Sequence, residues 1–195
     1  IPCYNEEKTL RTLVERVLRL KSGALDLELL VVDDCSRDAS LEIGRALAEE
    51  YPEVKLLSHA VNAGKGAALR TGFMAATGDY VGVQDADMEY TPEDYLVLLE
   101  PLLKDKADVV YGSRYLRTGV RRVLPYWHTK MNKTLTAFSN MFTNLDITDM
   151  ETCYKLFRRD VIQEIAPKLR ENRFGFEPEV TAYVARGCYR VYECA

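Results

Sequence analysis

The sequence predicts an α/β protein with a mostly parallel sheet flanked by helices. Short apolar runs alternate with longer stretches of helical periodicity as far as Gly112, a pattern typical of repeated βα units. Acidic residues directly follow two of these runs, at Asp33-Asp34 and Asp85-Ala86-Asp87, as at the ends of buried parallel strands. With 195 residues, of which 47% are hydrophobic and 29% charged, the chain has the composition of one globular domain.

The predicted elements follow from periodicity and from residues that begin or end helices. Ile1-Pro2 is interpreted as the end of a strand, and Glu6–Leu20 as a helix because its apolar residues recur on one face. Thr91 and Pro92 form a strong helix start, so a helix is expected from there to about Lys104. The other elements of this part are expected to be strands at 27–32, 54–58, 79–84 and 108–112 and helices at 38–51 and 64–77.

The βα rhythm breaks after Gly112. The elements predicted beyond it are a helix over Pro125–Thr143, a strand over Cys153–Phe157, a helix over Phe176–Arg186 that Gly187 ends, and a strand over Tyr189–Cys194. Because the chain starts and stops inside strand-like segments, we expect residues 1–195 to be a single domain truncated at both ends.

Composition limits the partners and the cellular compartment. A net charge of −4 gives no electrostatic support to a nucleic-acid partner. No stretch approaches the roughly 20 apolar residues that cross a bilayer. The five cysteines are scattered without a CxxC pair, which argues against a structural zinc site or a disulfide framework. A reducing, cytoplasmic setting without nucleic acid is therefore expected.

The acidic residues of separate strands are expected to meet at one edge of the sheet, where parallel α/β proteins bind ligands. Asp85 and Asp87 are the most informative, because side chains two apart in an extended segment point to the same side. Two such carboxylates suit Mg²⁺ or Mn²⁺, which would bind a diphosphate and neutralise a departing nucleoside diphosphate. A solvated acidic turn is the alternative interpretation.

Two further motifs near this edge leave alternatives open. Asp33-Asp34 is interpreted either as a cap of the following helix or as a contact from Asp34 to the base or ribose of a nucleotide. Asn62–Gly66 is not a phosphate loop of the Walker type, because His59 and Gly66 stand where glycine and serine or threonine are required. We expect its small residues to open a helix and to bring Lys65 near donor phosphates.

Taken together, these motifs resemble family 2 glycosyltransferases. The resemblance rests on pieces that occur in a matching order and spacing: Pro2-x-Tyr4-Asn5-Glu6, Val31-Val32-Asp33-Asp34-x-Ser36-x-Asp38, Asn62-x-Gly64-Lys65-Gly66, Gly78-Asp79, Asp85-Ala86-Asp87 and Gly112-Ser113-Arg114-Tyr115. Residues 149–157 and 173–179 extend it and are similar to the polyprenyl-phosphate and dolichol-phosphate sugar transferase branch. The resemblance implies a GT-A fold with a Rossmann-like sheet and an inverting transfer from a UDP- or GDP-sugar.

The resemblance also assigns roles to residues. It implies that the nucleotide is held by Pro2, Tyr4, Glu6 and Asp34, the metal by Asp85 and Asp87, and the donor phosphate or sugar by Arg114. Lys65 and Ala86 complete the predicted donor site. Cys35 stands where the family usually has glycine, and the C-terminal region with further basic phosphate contacts is not part of this sequence. The implied acceptor is a polyprenyl or dolichyl phosphate, at the cytoplasmic face of a membrane.

The acceptor decides which residues complete the reaction. A hydroxyl acceptor needs a base, for which Asp149 and Glu151 are the candidates, although a helix-cap or salt-bridge role is the alternative for either. A lipid phosphate is already anionic at neutral pH and needs no strong base. In that case Lys155, Arg158 or Arg173 would steer and orient the anion.

The predicted helix Pro125–Thr143 has an apolar face of aromatic, Met and Leu side chains. Its members are Trp127, Met131, Leu135, Phe138 and Phe142, and the flanking cations are Arg121, Arg122, Lys130 and Lys133. Such a helix could lie at a membrane surface. The favoured interpretation is that it packs on the sheet and that its cations are solvated.

Three functions remain open. A metal-dependent hexosyltransferase acting on a lipid phosphate is favoured over a transferase acting on a saccharide hydroxyl and over a non-catalytic nucleotide-sugar-binding domain. A sugar-nucleotide pyrophosphorylase is disfavoured, because the segment Tyr4-Asn5-Glu6-Glu7 is not the glycine-rich signature of that class. Glu177 and Glu179 are two apart on a predicted helix and do not share a face, so no joint metal site is expected.

Overall fold

A computed structural model describes residues 1–23, 25–116 and 123–195, and its strands form two sheets. The first sheet is parallel with the order β1-β2-β3, and consists of β1 (Pro2–Cys3), β2 (Leu29–Asp33) and β3 (Val54–Ser58). The second has the order β4-β6-β5-β7, and consists of β4 (Tyr80–Gly82), β5 (Val109–Gly112), β6 (Lys155–Arg158) and β7 (Val191–Cys194).

The direction of β6 determines which loops meet. It runs antiparallel to both β4 and β5, with Tyr80 opposite Arg158 and Val110 opposite Leu156, whereas β7 runs parallel to β5. The residues that precede β6 therefore lie at the same edge as the carboxyl ends of β4 and β5. The α/β class is confirmed. A strand was predicted over Cys153–Phe157, but its antiparallel direction was not.

Helices cover the sheets and are mostly shorter than predicted. They are α1 (Leu10–Leu18), α2 (Ser40–Glu50), α3 (Lys65–Ala75), α4 (Tyr95–Leu103), α5 (Tyr126–Thr143), α6 (Arg159–Ile165) and α7 (Phe176–Arg186). A 3-10 turn over Pro92–Asp94 precedes α4, at the start that Thr91-Pro92 predicted. The sequence did not predict α6, whose seven residues are too few for a clear helical period.

The largest apolar core joins α3, β6 and α7. Phe73 of α3 packs against Phe157 of β6 and Phe176 of α7, with ring centroids 6.1 and 5.8 Å apart. A second core forms between α1, β2 and α2 around Leu10, Leu13 and Leu47. These apolar contacts hold the elements on both sides of the sheet edge in fixed positions.

Helix α5 turns its polar side towards the protein. Asn132 and Thr136 are its buried residues, and the Thr136 hydroxyl accepts a hydrogen bond from the backbone N–H of Met150 at 3.1 Å. On the opposite side Trp127 is 79% exposed and Phe142 is 82% exposed. The expectation that this helix packs its apolar face on the sheet is therefore wrong. A helical period identifies an apolar face but not what covers it.

The other residues of this face and its flanking cations follow the same pattern. Met131, Leu135 and Phe138 are exposed, as are Lys130 and Lys133. Arg121 and Arg122, named above as flanking cations, lie outside the described residues. Within the described ranges, no helix combines the length and the apolar character that crossing a membrane requires.

The turn before α3 approaches the segment 171–173 without room for side chains. Gly64 has φ of 101°, and a Cβ added there would lie 2.4 Å from the carbonyl oxygen of Asn172. A Cβ on Gly66 would lie 2.3 Å from the carbonyl oxygen of Glu171. The backbone N–H of Ala67 donates to the Asn172 carbonyl at 3.1 Å. These glycines are thus needed for close backbone packing.

We expect Gly64→Ala to lower the free energy of unfolding by roughly 2–4 kcal/mol, because it adds both backbone strain and a clash with Asn172. Urea unfolding followed by circular dichroism measures the change. Gly72→Ala is the matched control on α3, where a Cβ would lie 3.5 Å from a methyl group of Val32. We expect that control to change stability by less than about 1 kcal/mol. Equal effects of the two substitutions would contradict the packing argument.

Candidate active site

The predicted site residues come together at one edge of the two sheets. This edge has the carboxyl ends of β1, β2 and β4, which lead into Tyr4–Glu6, Asp34 and Asp85–Asp87. Arg114 follows β5, and because β6 runs antiparallel, the residues 149–153 before it reach the same edge. Ligands of open α/β sheets bind at such an edge.

Lys65, the first residue of α3, connects two acidic side chains across this edge. Its ammonium nitrogen lies 2.9 Å from Oδ2 of Asp85 and 3.3 Å from Oε1 of Glu177. The sulfur of Cys153 is 3.8 Å from the same nitrogen. Although burial opposes it, the negative groups around Lys65 raise the pKa of its ammonium, so Lys65 is a fixed positive charge.

Asp87 lies on the open side of the same turn. Strand β4 ends at Gly82, and Ala86 and Asp87 form a turn, so the strand alternation assumed above does not apply to Asp85 and Asp87. The carboxylate of Asp87 is exposed and accepts the N–H of Glu89 at 2.9 Å. Partial burial, and then the charges of Asp85 and Glu89, raise the pKa of Asp87. Such repulsion between neighbouring carboxylates favours a bound cation.

The donor set fits a divalent cation whose remaining positions are filled by water or by a phosphate ligand. No group of three or more His, Cys, Asp or Glu side chains arranged for metal binding occurs among the residues described. Mg²⁺, however, is usually held by one or two carboxylates together with substrate phosphates and water. Asp85 and Asp87 match that pattern, and the ammonium of Lys65 is already a stand-in cation on Asp85.

Asp34 has a role that differs from a helix cap. Its carboxylate accepts the N–H groups of Ala63 at 2.9 Å and Gly64 at 2.7 Å, and Nδ1 of His59 lies 2.7 Å away. Although burial opposes it, these hydrogen bonds lower the pKa of Asp34. Neither Asp33 nor Asp34 caps α2, so that alternative is wrong. Asp34 holds the turn that leads to Lys65.

The loop after β1 is tied to the residues around the start of α2. The N–H of Glu6 donates to the Ser40 hydroxyl at 2.7 Å, and the N–H of Glu7 donates to Asp38 at 3.1 Å. Tyr4 is 40% exposed at this edge, and Pro2 lies within β1. The Glu6 carboxylate accepts the Thr9 hydroxyl at 2.7 Å. The loop is therefore fixed while the Tyr4 ring remains accessible.

Two predicted positions behave differently from their neighbours. Ala86, between the two acidic residues, is 3% exposed and belongs to the core under α1, so only its backbone reaches the edge. Cys35 adopts φ of 61°, the left-handed region that glycine enters without strain. That conformation accounts for glycine being usual at this position in the family.

Arg114 and Asp149 form a two-point ion pair. The guanidinium donates to Asp149 through Nε at 2.7 Å and through a terminal nitrogen at 2.8 Å, and the Arg114 N–H donates at 3.1 Å. Asp149 is fully buried, with 0% exposure. Although burial opposes it, the hydrogen bonds from Arg114 to the carboxylate raise the pKa of the guanidinium. The salt-bridge alternative is therefore the observed one for Asp149.

Glu151 lies beside this pair in a half-buried position. Burial and then the charge of Glu177 raise its pKa above the ordinary value of a glutamate. A carboxyl group with a raised pKa accepts a proton more readily near neutral pH, which is the property of a general base or acid. Of the two predicted candidates, Asp149 is engaged in the ion pair with Arg114, whereas Glu151 is half-buried with a raised pKa.

Of the three cations predicted to orient an anionic acceptor, Lys155 and Arg158 do not face the site edge. Lys155 is fully buried and donates to the Met150 carbonyl at 2.8 Å and to the Thr152 carbonyl, with its nitrogen 4.9 Å from the Tyr111 ring centre. Burial lowers the pKa of Lys155. Arg158 lies at the opposite end of β6 and pairs with Asp105 at 2.8 Å. Neither cation can contact an acceptor at the site edge, whereas Arg173 is exposed beside Gly64.

Sequence reasoning missed Glu177 and His59 as parts of the site. Glu177 was considered only with Glu179, whose carboxylate instead accepts the N–H groups of Arg170 and Glu171 at 2.9 Å each. Glu177 contacts Lys65 and Glu179 contacts the backbone of residues 170–171, so the two glutamates do not share a face, as their spacing predicted. The Glu177 contact to Lys65 joins segments far apart in sequence, so no local pattern identifies it.

Comparison with known proteins agrees with this arrangement. The family model of glycosyl transferase family 2 matches residues 1–166. A dolichol-phosphate mannosyltransferase of Pyrococcus furiosus is 31% identical over 167 residues, which are 85% of this chain and 47% of the relative. A dolichyl-phosphate beta-glucosyltransferase of Trichomonas vaginalis is 30% identical over 207 aligned residues, which cover 99% of this chain and 62% of the relative.

A solved structure shows the same architecture. Glucosyl-3-phosphoglycerate synthase of Mycobacterium tuberculosis, in complex with Mn²⁺, UDP and glucosyl-3-phosphoglycerate, superposes with a TM-score of 0.75 at 22% identity. The match covers 98% of this chain and 66% of that chain. The fold is therefore the GT-A fold. The chain belongs to glycosyl transferase family 2, and it spans less than two thirds of the length of the two sequence relatives.

Asp149→Asn tests the ion pair. We expect a loss of roughly 2–4 kcal/mol in the free energy of unfolding, because the half-buried Arg114 would lose its charged partner. Asp160→Asn is the control, since Asp160 is 78% exposed and 3.9 Å from Arg158, and we expect no measurable change there. Chemical unfolding of both variants measures the difference. Indistinguishable stabilities would contradict a structural role for Asp149.

Proposed function

We propose that this chain is the catalytic domain of a metal-dependent inverting glycosyltransferase that transfers a sugar from a UDP- or GDP-sugar to a polyprenyl or dolichyl phosphate. The observation that carries the proposal is the meeting of Asp85, Asp87, Lys65 and Arg114 at one sheet edge. The names of the two relatives, a dolichol-phosphate mannosyltransferase and a dolichyl-phosphate glucosyltransferase, support the acceptor class.

Each group at this edge has a separate task in the proposed reaction. A Mg²⁺ or Mn²⁺ ion on Asp85 and Asp87 would neutralise the charge that develops on the departing nucleoside diphosphate. Arg114, whose guanidinium Asp149 holds in one orientation, binds the donor phosphate or sugar. Pro2, Tyr4, Glu6 and Asp34 line the nucleotide side, where the exposed ring of Tyr4 is available for stacking.

The acceptor chemistry fits a site without an essential base. A phosphate monoester is already ionised at neutral pH, so its oxygen attacks the anomeric carbon directly. Arg173, exposed beside the turn before α3, is the cation that meets this anion. A saccharide hydroxyl is the second candidate acceptor, and the raised pKa of Glu151 favours it, because that carboxylate would take the hydroxyl proton.

Helix α5 supplies a surface for the membrane that contains the lipid acceptor. We place its exposed apolar face against the acyl boundary of the cytoplasmic leaflet, with Lys130 and Lys133 at the headgroups. No Asp or Glu occurs between Leu116 and Leu145, so nothing in this stretch repels anionic lipids. Apolar groups exposed on this scale cost free energy in water and mark an interaction surface.

Donor binding tests the catalytic proposal. We expect calorimetry to detect one UDP- or GDP-sugar in the presence of Mn²⁺, and Asp87→Asn to weaken that binding at least about tenfold because a metal ligand is lost. Asp79→Asn is the control: Asp79 is an exposed acid just before β4, at the other end of that strand. Metal-dependent binding without any transfer to dolichyl phosphate would instead favour a non-catalytic binding domain. No binding of any donor would overturn the proposed function.

Vesicle sedimentation tests the membrane surface. In vesicles of phosphatidylcholine with phosphatidylserine, we expect Phe138→Ser together with Phe142→Ser to weaken binding about tenfold or more, because two rings no longer enter the acyl boundary. Val97→Ser with Leu103→Ser is the matched control on α4, where both side chains are also exposed. An equal loss of vesicle binding for the two pairs would indicate non-specific hydrophobic adsorption and contradict a specific role of α5.

A further inference from the structure

Lys65 is bound to one of the two carboxylate oxygens through which Asp85 could hold a metal ion. Its ammonium lies 2.9 Å from Oδ2 of Asp85, a hydrogen-bonded ion pair rather than a distant charge contact. A divalent cation bound through that oxygen would lie next to the ammonium. The two positive charges would repel each other, so Lys65 has to leave Asp85 when the cation arrives.

Glu177 is the group that can receive Lys65. Its Oε1 is already 3.3 Å from the same ammonium nitrogen, so a small rotation of the lysine side chain is sufficient. The Glu177 side chain is 8% exposed and that of Asp85 is 19% exposed. A carboxylate as buried as Glu177 is costly unless a positive charge compensates it. After a metal ion binds Asp85, Lys65 therefore keeps a favourable ion pair with Glu177.

The backbone around these side chains is held in place. The turn before α3 is fixed by Asp34 through Ala63 and Gly64, and by the contact of Ala67 with Asn172. Glu177 belongs to α7, which begins at Phe176, three residues after the segment 171–173 that packs on this turn. The exchange of partners thus needs a side-chain movement of Lys65 and no rearrangement of the helices.

We propose that Lys65 is a place-holder for the divalent cation, and that Glu177 promotes metal binding by taking Lys65 away from Asp85. Glu177 is then a positioning residue that acts through Lys65 and does not itself bind the metal. The inference rests on the metal site of the proposed function. It adds a residue that is remote from Asp85-Ala86-Asp87 in sequence and that determines how readily Asp85 becomes available.

A double-substitution cycle tests this inference with Mn²⁺ alone. The free Mn²⁺ signal in electron paramagnetic resonance gives the dissociation constant for the unsubstituted protein, Glu177→Gln, Lys65→Met and the double variant. We expect Glu177→Gln to weaken Mn²⁺ binding about tenfold when Lys65 is present, and less than about twofold in the Lys65→Met background, because the competing ammonium is gone. Lys65→Met alone should tighten binding.

The other outcomes overturn the inference in distinct ways. An equal effect of Glu177→Gln in both backgrounds would mean that its charge acts on the metal through space. A larger effect in the Lys65→Met background would mean that Glu177 is a metal ligand. Glu164→Gln makes the same charge change on α6, where Glu164 is 62% exposed and pairs with Lys168, and it should leave Mn²⁺ binding unchanged. Thermal unfolding verifies that each variant is folded. If the unsubstituted protein binds no Mn²⁺, or if Asp87→Asn has no effect on its binding, the metal site of the proposed function fails as well.

Discussion

The close backbone contact between the turn before α3 and the segment 171–173 is the interaction on which the site depends. It is possible only because Gly64 and Gly66 have no side chains to separate the two backbones. Asp34 fixes the same turn from the side of the first sheet. Lys65 is consequently held between Asp85 of one segment and Glu177 of another, so that the start of α3 determines how these two carboxylates are compensated.

Buried charges at this edge are each compensated by a specific partner. Arg114 and Asp149 neutralise each other through two hydrogen bonds, and Lys155 donates to the backbone carbonyls of Met150 and Thr152. An uncompensated charge in these positions would cost far more than the pair contributes. The consequence for the proposed chemistry is pre-organisation, because the guanidinium of Arg114, which we assign to the donor phosphate or sugar, is already oriented before any ligand binds.

Much of the fold was predictable because buried parallel strands and amphipathic helices leave local patterns. β3 and α7 were placed at their observed limits, and the acidic residues after β2 and β4 lie at one edge of the sheets, as predicted. Contacts between distant segments were not predictable. The antiparallel pairing of β6, the Lys65–Glu177 pair and the burial of Lys155 depend on which elements become neighbours, and periodicity contains no information on that. The same limit explains α5, whose apolar face was identified correctly and given the wrong surroundings.

The two sides of the proposed reaction meet in the loop before β6. Thr136 of α5 binds the backbone of Met150, and Lys155 holds the carbonyl of the same residue from the core side. Asp149, directly before Met150, orients Arg114. The surface that we assign to the lipid and the cation that we assign to the donor are therefore linked through two consecutive residues. Thr136 therefore contributes to the position of Arg114 without touching either ligand, because it is one of the anchors of that loop.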